Sequence, residues 1–365
     1  MGRKHLAVAL LGAALASCAS QENGALPNPT PVPTGTPVGQ TYSVDAFVYY
    51  DENDNGRLDS VEIVRVPGVD VRLGGQTGRS VARTGALRVS AVPAGRYTVS
   101  LDRLPPYYQP GPMPTVDVPS ASTVAVPVRL SIGSNRSNVY LAFGDSITAG
   151  LGSTDGTGYR GTLVARLRSY FGEAKILEDG DPGTRSGRGS DRILTSLADT
   201  RPAYALILYG TNDWNDAVCK NGTGGCATIT NVEAIVNKTL SSGSLPVLGT
   251  IIPSNPSQNP ASRNTWVAGI NDALRLRAYT QGFLMADLHK AFLAEPDLAA
   301  LFSDHVHPNN AGYAIIAREF FRAISGDPAA TLELAAPAEP PDLLSVEGPT
   351  RPPESQVSGS LAPEP

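Results

Sequence analysis

Cysteine is scarce in this chain: there are three in 365 residues, at positions 18, 219 and 226. Cys219 and Cys226 have neither a histidine beside them nor a second cysteine pair, too few ligands for a zinc-type site. Basic clusters are also missing. No Lys/Arg-rich run follows residue 4 and the net charge is −5, so nothing forms the electrostatic footprint of a nucleic-acid binder. Long apolar runs are missing too. The apolar stretch "LAVALLGAAL" (6–15) is too short to span a bilayer as a stable helix, and no second stretch approaches that length.

What stands at the start has its own grammar. Arg3 and Lys4 precede the apolar run, which ends in "LASC" with Cys18 after small residues. This resembles the lipobox of bacterial lipoproteins, whose cysteine is acylated and becomes the mature N-terminus. The alternative is an ordinary secretory signal cut near Ala16. Both imply export, and the lipobox implies a lipid anchor in the cell envelope. In an oxidising compartment Cys219 and Cys226, within "CKNGTGGC", are expected to close a small local disulfide.

Beyond residue 18 the composition changes three times. Residues 19–40 are Pro-, Gly- and polar-rich and read as an extended tether. Residues 41–132 alternate apolar and polar side chains in short runs such as "YSVDAFVYY", "VDVRL", "RYTVSL" and "TVAVPVRL". Gly and Pro punctuate them without helical period, which predicts a small antiparallel β-sandwich. Residues 138–325 carry near-continuous apolar runs at 139–143, 175–177, 204–209, 246–252 and 283–287, separated by helical patterns. One predicted helix places Val232, Ile235, Val236, Thr239 and Leu240 on one face, with Thr230 and Glu233 as a capping box. Buried strands alternating with helices predict an α/β domain, a doubly wound five-stranded parallel sheet covered on both faces. The Pro/Ala-rich stretch 326–365 has the composition of a disordered tail.

In such a sheet, ligand sites gather beyond the carboxyl ends of the strands. There the chain offers "GDSITAG" (144–150), "EDGDPGTRSG" (178–187), "GTNDW" (210–214) and "SDHVHPNN" (303–310). Taken in order, "GDSITAG", "GTND" and "DHVHP" resemble the blocks of the SGNH, or GDSL-type, esterases and lipases, whose fold is flavodoxin-like. The resemblance covers about residues 138–325. It implies Ser146 as nucleophile, with the backbone N–H groups of Ser146 and Gly183 and the Asn212 amide as an oxyanion hole. The second block departs from the family by lacking an initial Asn-like residue. Gly180 and Gly183 both remain candidates, and Pro182 and the spacing favour Gly183. Asp213 is expected to brace the loop and His289 to be a surface or packing residue at a helix start, while Tyr159 and Arg160 either line the pocket or open the first helix.

A triad base needs a carboxylate at its second ring nitrogen. Asp304 and His307 are three apart and fall on one side of a turn, whereas Asp304 and His305 are adjacent and diverge. Pro308 biases His307 toward an extended backbone, and the family pattern Asp-x-x-His-Pro selects the same pair. The expected set is therefore Ser146, His307 and Asp304, needing no cofactor for catalysis. The polar stretches "STDGTGYRG" and "PSNPSQNPASRN", and the likeness of "GYRG" to acetylxylan-esterase relatives, favour a small ester or acetylated glycan as substrate. A lysophospholipase or thioesterase, and a non-catalytic envelope binding protein, are the alternatives.

One motif stands apart. In "DENDNGRLDSVE" (51–62), Asp51, Asn53, Asn55, the Arg57 carbonyl, Asp59 and Glu62 occupy positions 1, 3, 5, 7, 9 and 12 of an EF-hand-type loop, with Gly56 at the turn. Strand-like flanks make it resemble the calcium loops of B-type repeat domains of bacterial surface adhesins, which implies a structural Ca²⁺.

Overall fold

The computed structural model describes residues 39–327. Cys18, residues 19–38 of the tether and the tail beyond 327 lie outside them. No helix among the described residues is long and apolar enough to cross a membrane.

The first ninety described residues are β-rich: β1 (Thr41–Tyr50), β2 (Asp70–Leu73), β3 (Gln76–Arg79), β4 (Ala86–Pro93), β5 (Gly95–Thr98), β6 (Ser100–Arg103), β7 (Gln109–Pro110), β8 (Thr115–Val118) and β9 (Val124–Arg129). They form sheets in the orders β4-β1-β9-β7, β3-β2-β6 and β5-β8. The expectation of purely antiparallel pairing does not hold. β1 pairs antiparallel with β4 but parallel with β9, Val48 opposite Val126 and Tyr50 opposite Val128. Alternation specifies which side chains turn inward, not the direction of the neighbouring strand. The run "RYTVSL" also breaks at Val99, into β5 and β6, which join different sheets.

The rest alternates strand and helix: β10 (Arg136–Gly144), α1 (Tyr159–Phe171), β11 (Lys175–Gly180), α2 (Ser186–Thr200), β12 (Pro202–Leu208), α3 (Ala217–Lys220), α4 (Thr228–Ser241), β13 (Leu245–Gly249), α5 (Ala261–Gln281), β14 (Leu284–Ala286), α6 (Leu288–Leu293) and α7 (Asn310–Ser325). The five strands make one sheet in the order β11-β10-β12-β13-β14, and every pairing is parallel. β12, at the centre, is buried along its whole length, as a strand covered on both faces must be. In β10, Val139, Leu141 and Phe143 pack with α2, α4 and α5, while Tyr140 and Ala142 pack with α1, α6 and α7. Helix α4 begins at Thr228, two residues before the expected cap, because Asp213 accepts the Thr228 hydroxyl at 2.8 Å. Val232, Ile235, Val236 and Thr239 are buried as expected, but Leu240 is 44% exposed.

The β-rich region shares its core with the α1/α7 face of the large sheet: Val48, Val71 and Val126 belong to one apolar cluster with Tyr140, Leu167 and Phe321. Tyr107 joins the two regions through a polar contact. Its hydroxyl donates to the Pro246 carbonyl at 2.8 Å and accepts from the Leu284 N–H at 3.0 Å, tying the amino ends of β13 and β14. Its ring stands near Tyr204, which stacks on Tyr140. Tyr107 is held at φ 68°, a left-handed conformation uncommon for a bulky residue. Tyr107→Phe leaves that carbonyl and that N–H without the partner, a loss of about 1–3 kcal/mol. The urea midpoint of the whole chain should fall with an unchanged slope; an unaltered midpoint would show that the hydroxyl contributes nothing.

Candidate active site

β10 ends at Gly144, and the chain turns sharply so that Ser146 faces the carboxyl edge of the sheet. A side chain at 144 would meet the Leu208 carbonyl at 2.4 Å and the Thr148 hydroxyl at 2.2 Å, so only glycine fits there. The turn does not lead straight into a helix: α1 starts only at Tyr159, after a run of turns. Ser146 is 6% exposed. Its Oγ lies 2.9 Å from Nε2 of His307, and Nδ1 of His307 lies 2.7 Å from Oδ2 of Asp304. An ionised carboxylate only accepts, so Nδ1 carries the proton and Nε2 is left to accept from the serine. The other Asp304 oxygen accepts the backbone N–H groups of Val306 and His307 at 2.8 and 2.7 Å.

His305 is placed differently. Its ring is 56% exposed and stands 3.8 Å from Asp304, beyond hydrogen-bond range. The Asn212 amide nitrogen donates to the Thr184 carbonyl at 2.9 Å and makes a long contact of 3.4 Å with Oδ2 of Asp145. Of the two candidate glycines, Gly180 has its N–H bonded to the Glu178 carboxylate at 2.6 Å. Gly183 sits at φ 78° in the turn just before Thr184, with open space on its Cβ side.

Residues 142–315 match the model of the GDSL-like Lipase/Acylhydrolase family. The chain carries a GDSL-like lipase/acylhydrolase domain and is an ester hydrolase. No curated protein matches it. Among solved structures it is similar to a lipase/acylhydrolase from Enterococcus faecalis, at 22% identity over 52% of this chain and 96% of that one, TM-score 0.44. An acetylxylan esterase from Geobacillus stearothermophilus is 23% identical over 53% of this chain and 96% of its own, TM-score 0.45. A member of the lipolytic G-D-S-L family from Veillonella parvula is 18% identical over 50% and 94%, TM-score 0.41.

Within the GDSL-like domain, polar groups brace the loops at the sheet edge, Asp213 among them as expected. Asp213 accepts the Ser186 N–H at 2.9 Å and the hydroxyls of Ser186 and Thr228, binding three loops to one carboxylate. Arg192 ion-pairs with Asp179, donates to the Gly144 carbonyl at 3.0 Å, and lies 4.2 Å over the Phe143 ring. It thereby fixes the strand end from which Ser146 departs. Arg160 donates to the carbonyls of Ala149 and Gly156, and Tyr159 is fully buried, so both shape the segment after Ser146. At Gly152 any side chain would strike the Pro308 carbonyl at 2.4 Å and the His307 Cβ at 3.1 Å, so that segment abuts the histidine closely. His289 is buried beside Arg275, and burial first, then that guanidinium, lowers its pKa. Its backbone N–H donates to the Thr250 hydroxyl at 2.8 Å. Cys219 and Cys226 are joined by a disulfide below the Asn212 loop.

The two carboxylates next to the serine are tuned in opposite directions. Burial pushes Asp304 up, but the His307 ring and the two backbone N–H groups outweigh it and hold the carboxyl down to about 2. Asp145, fully enclosed and facing Asp213, is pushed up to about 7, chiefly by burial and against the Ile147 N–H that favours its charge.

The loop 51–62 sits at the end of β1. Asp51 and Glu62 are 1% and 3% exposed, and no cationic side chain pairs with either among the described residues. Backbone N–H groups of Asn55 and Gly56 bond Asp51, and those of Glu52 and Asp59 bond Glu62. The Tyr49 hydroxyl is buried without a partner, and burial with the field of Asp51, Glu62 and Asp59 pushes its pKa up to about 12. No group of three or more His, Cys, Asp or Glu side chains among the described residues is gathered to hold a metal. Amide and carbonyl oxygens of Asn53, Asn55 and Arg57 would have to complete a donor set, which suits a hard cation such as Ca²⁺.

The raised Asp145 pKa has a consequence for stability. Between about pH 4 and 7 the folded chain keeps a proton that the unfolded chain has released. This favours folding at low pH and is lost as pH rises through about 7, with a slope of at most about 1.4 kcal/mol per pH unit. Urea midpoints across this window should fall more steeply with pH for the wild type than for Asp145→Asn; parallel profiles would contradict the assignment.

Proposed function

We propose that the chain is an exported serine esterase that hydrolyses carboxylic esters through an acyl-enzyme, with acetylated carbohydrate as its substrate class. The observation that carries the mechanism is the continuous chain from Ser146 Oγ to His307 Nε2 and from His307 Nδ1 to Asp304, at 2.9 and 2.7 Å. Ser146 Oγ attacks the ester carbonyl carbon as its proton passes to His307 Nε2. The oxyanion is met by the N–H groups of Ser146 and Gly183 and by the Asn212 amide, whose second hydrogen is held only by the long contact to Asp145. Collapse expels the alcohol, protonated by His307. Water then attacks the acyl-serine as His307 takes its proton, and collapse breaks the bond to Ser146 Oγ, which receives that proton from His307 as the carboxylic acid leaves. Asp304 remains ionised throughout, holding the tautomer and stabilising the imidazolium.

The substrate class rests on the surfaces flanking His307. Exposed Thr154 and Asp155 follow Gly152, which abuts His307, with Thr154 bonded to Asn310; exposed Pro256, Ser257 and Gln258 follow Asn255, which bonds the His305 carbonyl. These hydroxyls, amides and carboxylate suit a polyhydroxylated partner better than an acyl tail. The doubly wound, flavodoxin-like organisation of the sheet supports the same function by presenting all of these loops at one edge. The leader-like start supports placing the enzyme in the cell envelope on a lipid attached to Cys18.

His307→Ala should abolish hydrolysis of p-nitrophenyl acetate and His305→Ala should leave most of it, while Asn212→Ala loses about 10²–10³ in turnover. Deacetylation of acetylated xylo-oligosaccharides should exceed turnover of p-nitrophenyl octanoate. A preference for octanoate would replace the carbohydrate assignment with a lipolytic one. Absence of Ser146-dependent labelling by a fluorophosphonate would favour a non-catalytic binding protein.

We propose further that Asp51, Asn53, Asn55, Asp59, Glu62 and the Arg57 carbonyl hold a structural Ca²⁺. The ion would neutralise the buried carboxylates at the end of β1 and take no part in catalysis. Ca²⁺ at a hundredfold excess over its Kd should stabilise the chain by about 2.7 kcal/mol relative to EDTA, seen as a higher melting temperature. Glu62→Gln should lose that response; equal melting of the wild type in Ca²⁺ and EDTA would refute the site.

A further inference from the structure

Arg263 lies in the first turn of α5, 5% exposed, and no carboxylate pairs with it among the described residues. A buried guanidinium without a counter-charge is costly and calls for a compensating set of acceptors. Its acceptors here are neutral and come from two different loops. Nη2 donates to the Thr211 carbonyl at 3.0 Å, one residue before Asn212. Nη1 donates to the side-chain oxygen of Asn259 at 3.1 Å. The Asn259 amide nitrogen then donates to the His305 carbonyl at 2.6 Å and to the Asn255 carbonyl at 3.0 Å. Asn255 completes the set. Its backbone N–H donates to the same His305 carbonyl at 3.0 Å, and its side chain to the Asp304 carbonyl at 3.2 Å.

These bonds run without a break from the residue before Asn212 to the two residues that lead into His307. The segment they cross, 253–260, follows β13, and β13 is the strand beside β12, from which the Asn212 loop leaves. The sheet therefore sets the loops side by side, and the Arg263–Asn259–Asn255 bracket fixes the remaining distance between them. Among the described residues, the hydrogen bonds to the 304 and 305 carbonyls come from Asn255 and Asn259.

We propose that Arg263, acting through Asn259 and Asn255, is a positioning residue that sets the spacing between the oxyanion donor Asn212 and the base His307. The proposal rests on the mechanism proposed above. That spacing matters because the donor must meet the oxygen while the base meets the serine proton on the same carbon centre. A misplacement of about 1 Å costs on the order of 10²-fold in rate. The effect falls on the chemical step, since none of the three residues is needed to touch the substrate.

Two variants test it. Arg263→Met keeps the length of the side chain and removes both donors. Asn259→Asp keeps the acceptor for Arg263 and gives the guanidinium a counter-charge, yet loses both donors to the carbonyls. Rates are taken per active site, counted by fluorophosphonate titration, so an unfolded fraction does not enter. For p-nitrophenyl acetate, both variants should lose about 10- to 100-fold in kcat with KM within about threefold. Asn259→Asp should melt no lower than about 3 °C below the wild type, which a purely structural role would not combine with a lost kcat. Arg263→Lys should recover part of the rate by restoring one donor. Wild-type kcat per labelled site in Asn259→Asp would overturn the bracket. A wild type that is neither labelled nor active would instead overturn the mechanism on which it rests.

Discussion

All five strands of the large sheet run in one direction, and the rest of the site follows from that constraint. A parallel strand can return only by a crossover, so each loop after a carboxyl end emerges on the same edge. Ser146 follows β10, Gly183 follows β11, Asn212 follows β12, and the bracket at 255–263 follows β13. Asp304 and His307 come after β14 and its short helix. Residues separated by 161 positions, such as Ser146 and His307, are thereby brought within hydrogen-bond distance without any one loop reaching far. The order β11-β10-β12-β13-β14 also places the strand that leads to Ser146 inside the sheet, with the Gly183 and Asn212 loops on its two sides.

Apolar burial makes this edge rigid, and a second set of interactions refines where each loop lies. These are polar groups bonded to backbone and hydroxyls: Asp213 to Ser186 and Thr228, Arg192 to the Gly144 carbonyl, Arg263 to the Thr211 carbonyl. Each joins loops from different strands. A buried charge satisfied in this way is strongly disfavoured from moving, because displacement leaves it unpaired in a poorly polarisable interior. The opposite tuning of Asp304 and Asp145 follows from the same logic. Asp304 collects three donors and stays charged, while burial first, and then the field of Asp213, raises the Asp145 pKa.

What the sequence disclosed divides along the same line. Ser146, Asp304 and His307 were legible because their signals are local: a polar block directly after an apolar strand, and a carboxylate three residues before a histidine. The five strands were legible from continuous apolar runs. The parallel pairing of β1 with β9 was not, since alternation encodes a face and not a direction. The start of α4 was missed because Thr228 answers to Asp213, fifteen residues away, and not to its own helix end. Arg263 was invisible for a stronger reason. Its partner at Thr211 is 52 residues distant and is a backbone carbonyl, which any residue supplies. A side chain whose role is to hold backbone leaves no matching residue elsewhere in the chain.

The β-rich region bears on the edge from the other end of the strands. It contributes to the same apolar cluster as α1 and α7, and Tyr107 binds the amino ends of β13 and β14. β13 is the strand whose far end leads into Asn255 and Asn259. A parallel pair as short as β13 and β14, three residues in register, has few ladder bonds to resist sliding. Tyr107 supplies an additional polar link at one end, and the bonds to the 304–305 carbonyls supply links at the other. β13 thus has the Tyr107 link at its amino end, and the loop after its carboxyl end is bonded to the 304–305 carbonyls. The β-rich region thereby adds a shared apolar cluster and a polar link to the strands whose opposite ends carry the site loops.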